Sequence, residues 1–84
     1  MKTFDYTITD EIGIHARPAG LLVKEAKKFK SLVTVTLGEK TVKASAMALM
    51  GLGAKKGSTI TVNVNGEDED VSAATIETFL KENL

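Results

Sequence analysis

The sequence predicts an α+β fold, an open-faced β-sandwich in which three helices cover one face of a four-stranded antiparallel sheet in the order βαββαβα. Two observations predict it. Segments with an apolar residue at every second position alternate along the chain with segments whose apolar residues recur every three or four positions. Each predicted strand is apolar on one face only, so one layer of helices is enough to cover the sheet. A chain of 84 residues is expected to form one domain, residues 1–84.

The first predicted elements are a strand and a helix. Phe4, Tyr6 and Ile8 alternate with polar residues, which predicts a half-buried strand over residues 2–9. Residues 10–13 interrupt this alternation. Apolar residues then recur at helical spacing and predict a helix over residues 16–28. They share one face and are Ala19, Leu22, Ala26 and, just past the predicted end, Phe29.

The middle of the chain predicts a hairpin and a short helix. Valine and leucine alternate with threonine over residues 33–37, residues 38–40 form a tight turn, and residues 41–43 return as a second strand. A short helix is expected over residues 46–52. Ser45 is a suitable N-cap for it, because a serine hydroxyl accepts a hydrogen bond from a free backbone N–H of the first turn.

The last predicted elements are a strand and a longer helix. Branched apolar residues alternate with threonine and asparagine over residues 60–64, and Asn65-Gly66 turns the chain. Asp70 or a neighbouring acid is expected to start the helix, since acidic side chains are favourable in a first turn. Its apolar positions again recur at helical spacing: Ala73, Ile76, Leu80 and Leu84.

The composition excludes several classes of protein. The sequence has no cysteine, which excludes disulfides, a thiolate nucleophile and cysteine-based zinc sites. A formal net charge of zero argues against a domain that binds nucleic acid through a basic surface. No apolar run approaches the ~20 residues of a membrane helix, and residues 1–6 lack the layout of a secretory signal. We therefore expect a soluble cytoplasmic protein that needs no cofactor or metal.

The charges are unevenly distributed around the only histidine, His15. Residues 13–30 hold five basic residues against one acid, whereas residues 67–84 hold six acids against one lysine. The local balances are therefore +4 and −5. The basic part of the chain surrounds the histidine, which suits a partner or ligand of negative charge.

His15 lies where a loop meets the start of the first predicted helix, and this position favours phosphate chemistry. The first N–H groups of a helix, here those at Ala16 and Arg17, have no intrahelical acceptor and favour negative charge. The Arg17 guanidinium is a planar fork that matches phosphate oxygens. Pro18 fits in the first turn, where its missing N–H costs nothing. A neutral imidazole can attack phosphorus without an adjacent base. The alternative is that His15 is an ordinary loop residue or a modest cap.

The segment Gly13-Ile14-His15-Ala16-Arg17-Pro18-Ala19 resembles the active-site signature of the HPr family, the histidine-containing phosphocarriers of the bacterial sugar phosphotransferase system. The resemblance extends over essentially the whole chain. It includes the length, the βαββαβα order, the segment SAMALMGLGAKKG over residues 45–57 and the turn at residues 65–68. The resemblance implies a phosphoryl carrier rather than an enzyme. His15 would accept the phosphoryl group on Nδ1 from enzyme I, which phosphoenolpyruvate charges, and would pass it to IIA domains of sugar transporters.

The resemblance also implies roles for other residues. Arg17 would steady the phosphoryl group. The partner-docking surface would comprise Gly20, Val23, Lys24, Lys27, Ala46, Met47 and Met50. The two lysines would meet acidic partner surfaces, although they also suit an ordinary solvated helix face. The two methionines adapt to several partners, although their helical spacing also suits packing against the sheet.

Ser45 matches a serine that a dedicated kinase phosphorylates for regulation in Gram-positive members of the resembling family. A phosphate there would suit the helix start yet add about two negative charges beside the docking surface. The partners implied are a serine kinase/phosphorylase and a catabolite-control transcription regulator. This sequence has Ala44 and Ala46 beside the serine, where many regulated relatives carry lysine and a larger apolar residue. A plain N-cap is the alternative.

Three other functions compete with the carrier. A regulatory binding module on the same fold would act on a transcription regulator without phosphotransfer, but relatives of that kind replace the histidine that this sequence retains. A nucleic-acid-binding domain would need more aromatic and basic residues on the sheet than Phe4 and Tyr6 supply. A metal site lacks ligands, because the acids at residues 67–70 do not follow the calcium-loop spacing. We expect a monomer, with no nucleic acid partner and no insertion into a membrane.

Overall fold

The computed structural model describes the backbone of residues 1–84 and the side chains of all of them except Ala46. It confirms the predicted order of elements. The elements are β1 (Lys2–Thr7), α1 (Ala16–Ala26), β2 (Leu32–Leu37), β3 (Lys40–Lys43), α2 (Ala46–Gly51), β4 (Thr59–Asn65) and α3 (Glu69–Asn83).

The four strands form one antiparallel sheet in the order β1-β4-β2-β3. β4 is one of the two inner strands, since Val62 lies opposite Phe4 of β1 on one side and Val35 of β2 on the other. β2 and β3 form the predicted hairpin, with Leu37 opposite Lys40 at its turn. The pairing of β1 with β4 places the end of β1 beside the start of β4. The loop after β1 therefore lies close to the loop before β4.

The core lies between one face of the sheet and the helices. Alternate residues of β2 and β4 are buried, as the period of two predicted, while α1, α2 and α3 each contribute apolar side chains. The largest fully buried apolar residues are Ile8, Leu22, Val35, Leu49, Ile60, Val62, Val64, Ile76 and Leu80. The other sheet face is polar, with hydroxyl pairs Thr7–Thr59 at 2.9 Å and Thr36–Thr41 at 2.8 Å.

Two predicted ends differ from the structure by two residues, and hydrogen bonds explain both. β1 ends at Thr7 rather than residue 9, because the N–H groups of Thr9 and Asp10 donate to Leu84 O at the end of the chain instead of to the sheet. α1 ends at Ala26 rather than residue 28, because its last bonds tighten to the i→i−3 kind, as in Phe29 N to Ala26 O at 3.2 Å.

α3 begins with acidic residues, as predicted, but one of them has a different task. Asp68 is the N-cap of α3, but its carboxylate makes no hydrogen bond to this helix. It binds the loop after α1 instead. It accepts hydrogen bonds from Lys30 N at 2.8 Å, Ser31 N at 3.0 Å and the Ser31 hydroxyl. These bonds, the Ser31 hydroxyl first and the Lys30 amide next, lower the pKa of Asp68. The contact ties the α1–β2 loop to the start of α3.

No helix in the described part of the chain combines the length and the apolar character needed to cross a membrane.

Candidate functional site

His15 is the N-cap of α1, as its position in the sequence predicted. Its backbone is extended (φ −129°, ψ −177°), and its side chain makes no capping hydrogen bond. The imidazole is 39% exposed, so a second protein can reach it. Among the described residues, neither Ala16 N nor Arg17 N donates a hydrogen bond. The two free amides at the helix start therefore lie next to an accessible imidazole.

A shallow depression of about 240 Å³ adjoins the imidazole. It is lined by His15, Arg17, Pro18, Leu21 and Asn83. Arg17 is exposed and has no ion-pair partner among the described side chains, so its guanidinium is available to an anion. The depression thus combines a nucleophile, a cation and an amide side chain in a space open to solvent.

The loop before His15 is held by backbone hydrogen bonds to distant parts of the chain. Ile14 N donates to Ala54 O at 3.1 Å, and the Ile14 side chain is buried. Gly13 has φ +82° and fits so closely that a Cβ there would lie 2.3 Å from Ala54 O. The α2–β4 loop therefore fixes the backbone from which the histidine projects.

The Nε2 atom of His15 lies 3.7 Å from the Oδ2 atom of Asp10 in the same loop. This distance is too long for a hydrogen bond but is within the range of an ion pair when the ring is protonated. The contact assigns different surroundings to the two ring nitrogens, since Nε2 faces a carboxylate. No pattern in the sequence points to Asp10.

The predicted docking residues divide between exposed and packed positions. Met47 and Met50 on α2 are 82% and 41% exposed, so the alternative that both pack against the sheet is wrong. Leu49 and Leu52 supply that packing instead. Val23 is half-buried and packs against the core, which leaves only part of it available. Ala46 lies outside the residues whose side chains are described.

The lysines of the predicted docking surface are exposed and form no ion pair among the described side chains. They are Lys24 and Lys27, and Gly20 is exposed as well. The one ion pair that α1 contributes is Lys28 with Glu25, at 3.0 Å. Lys24 and Lys27 are thus available to acidic groups of another molecule.

Ser45 is exposed and is the N-cap of α2, as predicted. Its Oγ accepts a hydrogen bond from Ala48 N at 3.3 Å. This hydrogen bond accounts for Ser45 as a cap. Because Ser45 is exposed, its hydroxyl remains accessible to another protein.

Sequence reasoning missed three residues around the imidazole: Asp10, Leu21 and Asn83. Asn83 reaches the site because the end of α3 docks on the loop after β1, where Leu84 O accepts from Thr9 N at 2.6 Å and from Asp10 N at 2.7 Å. No local pattern in the sequence reports this contact. Leu21 lies next to the predicted core position Leu22, and its exposure alone distinguishes it.

Comparisons with known proteins point to one family. The family model described as PTS HPr component phosphorylation site matches residues 2–82. The phosphocarrier protein HPr of Lysinibacillus sphaericus is 45% identical over 83 residues, which cover 98% of this chain and 94% of that protein. The solved structure of a Mycoplasma histidine-containing phosphocarrier protein has a TM-score of 0.93 and 38% identity, covering 96% of this chain and 93% of that chain.

The solved structure of a related protein with a role in catabolite repression is also similar. The Bacillus subtilis catabolite repression containing protein Crh, described as a domain-swapped dimer, has a TM-score of 0.79 and 34% identity. The match covers 94% of this chain and 92% of that chain.

Proposed function

The chain belongs to the HPr family, the phosphocarriers of the phosphotransferase system, which are not catalysts, and we propose that His15 is its phosphoryl acceptor. The donor is enzyme I, charged by phosphoenolpyruvate, and the acceptors are IIA domains of sugar transporters. One observation carries the proposal: the 39% exposed imidazole stands beside the unpaired amides at the start of α1. No other histidine exists in the sequence.

The groups that would contact the phosphoryl group all lie at this helix start. The Nδ1 lone pair of His15 attacks phosphorus, the bond between phosphorus and the donor breaks, and the electron pair of that bond leaves with the donor. Ala16 N, Arg17 N and the Arg17 guanidinium then bind the phosphoryl oxygens. Transfer onward reverses these steps with the IIA domain as nucleophile. One exposed histidine is enough to carry the group, whereas hydrolysis would need a further base positioned to activate water.

The docking surface comprises Gly20, Val23, Lys24, Lys27, Ala46, Met47 and Met50. The exposure of Met47 supports this role, because a methionine that is 82% exposed contributes little to the core. The unpaired Lys24 and Lys27 would meet acidic groups on enzyme I and on IIA domains, which accelerates encounter. A flexible thioether surface suits a carrier that must fit several partners in turn.

Ser45 is the site that we propose for regulation by a serine kinase/phosphorylase. Its exposed hydroxyl at the N-cap of α2 supports access by a kinase. A phosphate there adds about two negative charges next to Met47 and so weakens docking of enzyme I. The phosphorylated form would bind a catabolite-control transcription regulator.

A regulatory binding module is the second candidate, and the likeness to Crh favours it. Such a module would act on a transcription regulator without phosphotransfer. The presence of His15 favours the carrier. We further propose that the protein works in the cytoplasm as a monomer, because the docking surface must stay free for successive partners.

The test is incubation with enzyme I, magnesium and phosphoenolpyruvate, followed by intact mass measurement before and after acid treatment. Wild type and Ser45→Ala should each gain one acid-labile phosphoryl group, and His15→Ala should gain none. An absence of the adduct on wild type, with enzyme I active on another HPr, would refute the carrier and favour the binding module. A stable adduct on His15→Ala would place the acceptor elsewhere.

A further inference from the structure

Asp10 has a carboxylate oxygen near Nε2 of the His15 ring, and this oxygen accepts no hydrogen bond from a described atom. Its Oδ2 atom is buried and has no hydrogen-bond partner among the described atoms, and it lies 3.7 Å from His15 Nε2. A buried acceptor without a donor costs free energy, so this position favours any nearby group that can donate. The only donor that the ring can offer there is Nε2–H.

The backbone of Asp10 is fixed from both sides. Asp10 N donates to Leu84 O at 2.7 Å, and Asp10 O accepts from Gly13 N at 3.1 Å. Thr9 reinforces this anchor, since its N–H and its hydroxyl both donate to Leu84 O, at 2.6 Å and 2.9 Å. The backbone that carries the carboxylate is therefore held beside the imidazole by contacts that do not involve the histidine. The ring and the carboxylate need to approach by only about 1 Å to form a charge-assisted hydrogen bond.

We propose that Asp10 is a positioning residue that keeps a proton on Nε2 of His15 throughout the phosphoryl-transfer cycle. The inference rests on the proposed function. A neutral imidazole has one N–H and one lone pair, so a carboxylate that holds the N–H at Nε2 leaves the lone pair on Nδ1. Asp10 thereby selects the nitrogen that attacks phosphorus.

The same proton matters when the group moves on. Attack by Nδ1 gives a phosphorylated imidazolium that still carries Nε2–H, and the Asp10 carboxylate neutralises its positive charge. On delivery the acceptor attacks phosphorus, the P–Nδ1 bond breaks, and its electron pair returns to Nδ1. The ring then departs as neutral imidazole, and no proton has to move. Without the Nε2 proton it would have to depart as imidazolate, a much poorer leaving group.

The test combines nitrogen NMR of the histidine ring with transfer rates. We expect wild type, labelled with ¹⁵N-histidine at neutral pH, to carry the proton on Nε2 both before and after phosphorylation on Nδ1. Asp10→Ala should show a mixture of tautomers when free and should lose the Nε2 proton when phosphorylated. Its rates of acceptance from enzyme I and delivery to a IIA domain should fall about tenfold. Asp10→Asn, which retains a neutral oxygen acceptor, should lie between the two.

Glu11→Gln is the matched control, because it removes a negative charge from the same loop without touching the ring. Glu11 is 86% exposed and pairs with Lys56 at 3.3 Å. This variant should match wild type in both measurements. If Asp10→Ala fails to fold, the nearly isosteric Asp10→Asn carries the comparison.

These measurements distinguish failure of the inference about Asp10 from failure of the proposed function. Equal ring spectra and equal rates for wild type and both Asp10 variants would overturn the inference while leaving the carrier intact. If wild type accepted no phosphoryl group from enzyme I, the proposed function would fail. The tautomer of the unphosphorylated ring would still decide whether Asp10 holds the proton.

Discussion

Replacing Gly13 with alanine tests how the loop before His15 is held in place. Gly13 has φ +82°, a backbone conformation that disfavours a side chain, and a Cβ there would lie 2.3 Å from Ala54 O and 2.7 Å from Lys55 Cα. Both obstacles are backbone atoms, which cannot rotate away. Gly38 in the β2–β3 turn is the matched control, since it has φ +61° but nothing within 4 Å of its Cβ position.

The magnitude follows from these two terms. The dihedral cost of alanine at positive φ is about 1–2 kcal/mol and applies at both positions. The clash at Gly13 adds about 1–3 kcal/mol, because the α2–β4 loop must shift to make room. We therefore expect Gly13→Ala to lower the free energy of unfolding by about 2–5 kcal/mol and Gly38→Ala by about 1–2 kcal/mol. The total free energy of unfolding of a domain of this size is roughly 4–12 kcal/mol. Gly13→Ala could therefore remove most of the stability of the fold.

The assay is urea unfolding of wild type, Gly13→Ala and Gly38→Ala, combined with the rate of phosphoryl acceptance from enzyme I. At a temperature where Gly13→Ala remains folded, acceptance should also fall about tenfold, because the displaced loop misplaces His15. Gly38→Ala should accept at the wild-type rate. Equal destabilisation by the two substitutions would refute the claim that the contact with Ala54 positions the loop.

Three further predictions concern the core, the acid limit of stability and the phosphate site. Leu49→Ala should lower the free energy of unfolding by about 2–5 kcal/mol and Met47→Ala by less than about 0.5 kcal/mol, and urea unfolding showing similar losses would contradict the assignment of Leu49 to the core and Met47 to the surface. The Ser31 hydroxyl and a loop amide hold the pKa of Asp68 below its ordinary value of 3.8, so its contribution to stability is present above that value and lost as pH falls through the lower folded pKa. Asp68→Asn should therefore lose less stability than wild type below about pH 4, and parallel curves of unfolding free energy against pH would count against this. Arg17→Ala should slow phosphoryl acceptance about tenfold with less than about 0.5 kcal/mol change in stability, and an unchanged rate in a rapid-quench experiment would remove Arg17 from the site.

The fold could be predicted from the sequence because each element has a strong local pattern. The alternation in β4 and the cap at Ser45 both depend on near neighbours in the chain, and both were predicted correctly. The ends of β1 and α1 were predicted two residues too late. The end of β1 depends on Leu84, whose carbonyl accepts hydrogen bonds from Thr9 N and Asp10 N. A contact between residues so far apart in the sequence cannot be predicted from the residues next to either of them.

The site divides in the same way. The His15 segment could be found from the sequence because its histidine, arginine and proline are adjacent and have a combined chemical meaning at a helix start. Asp10 and Asn83 could not be found, because the folded loop and the end of α3 bring them to the ring. Helical spacing alone left open whether Met47 is packed or exposed, and only the family resemblance placed it on the docking surface. At helical spacing a methionine on a short helix faces the core or the solvent according to how the helix docks.

The central claim is that this protein carries a phosphoryl group from one protein to another, and a complete relay tests it most directly. ³²P-labelled phosphoenolpyruvate, enzyme I and a IIA domain would be combined with wild type, with His15→Ala or with no carrier, and the label on the IIA domain would be measured after a few seconds. We expect label on the IIA domain only with wild type. Label that stays on enzyme I with wild type, or that reaches the IIA domain equally well with His15→Ala, would contradict it.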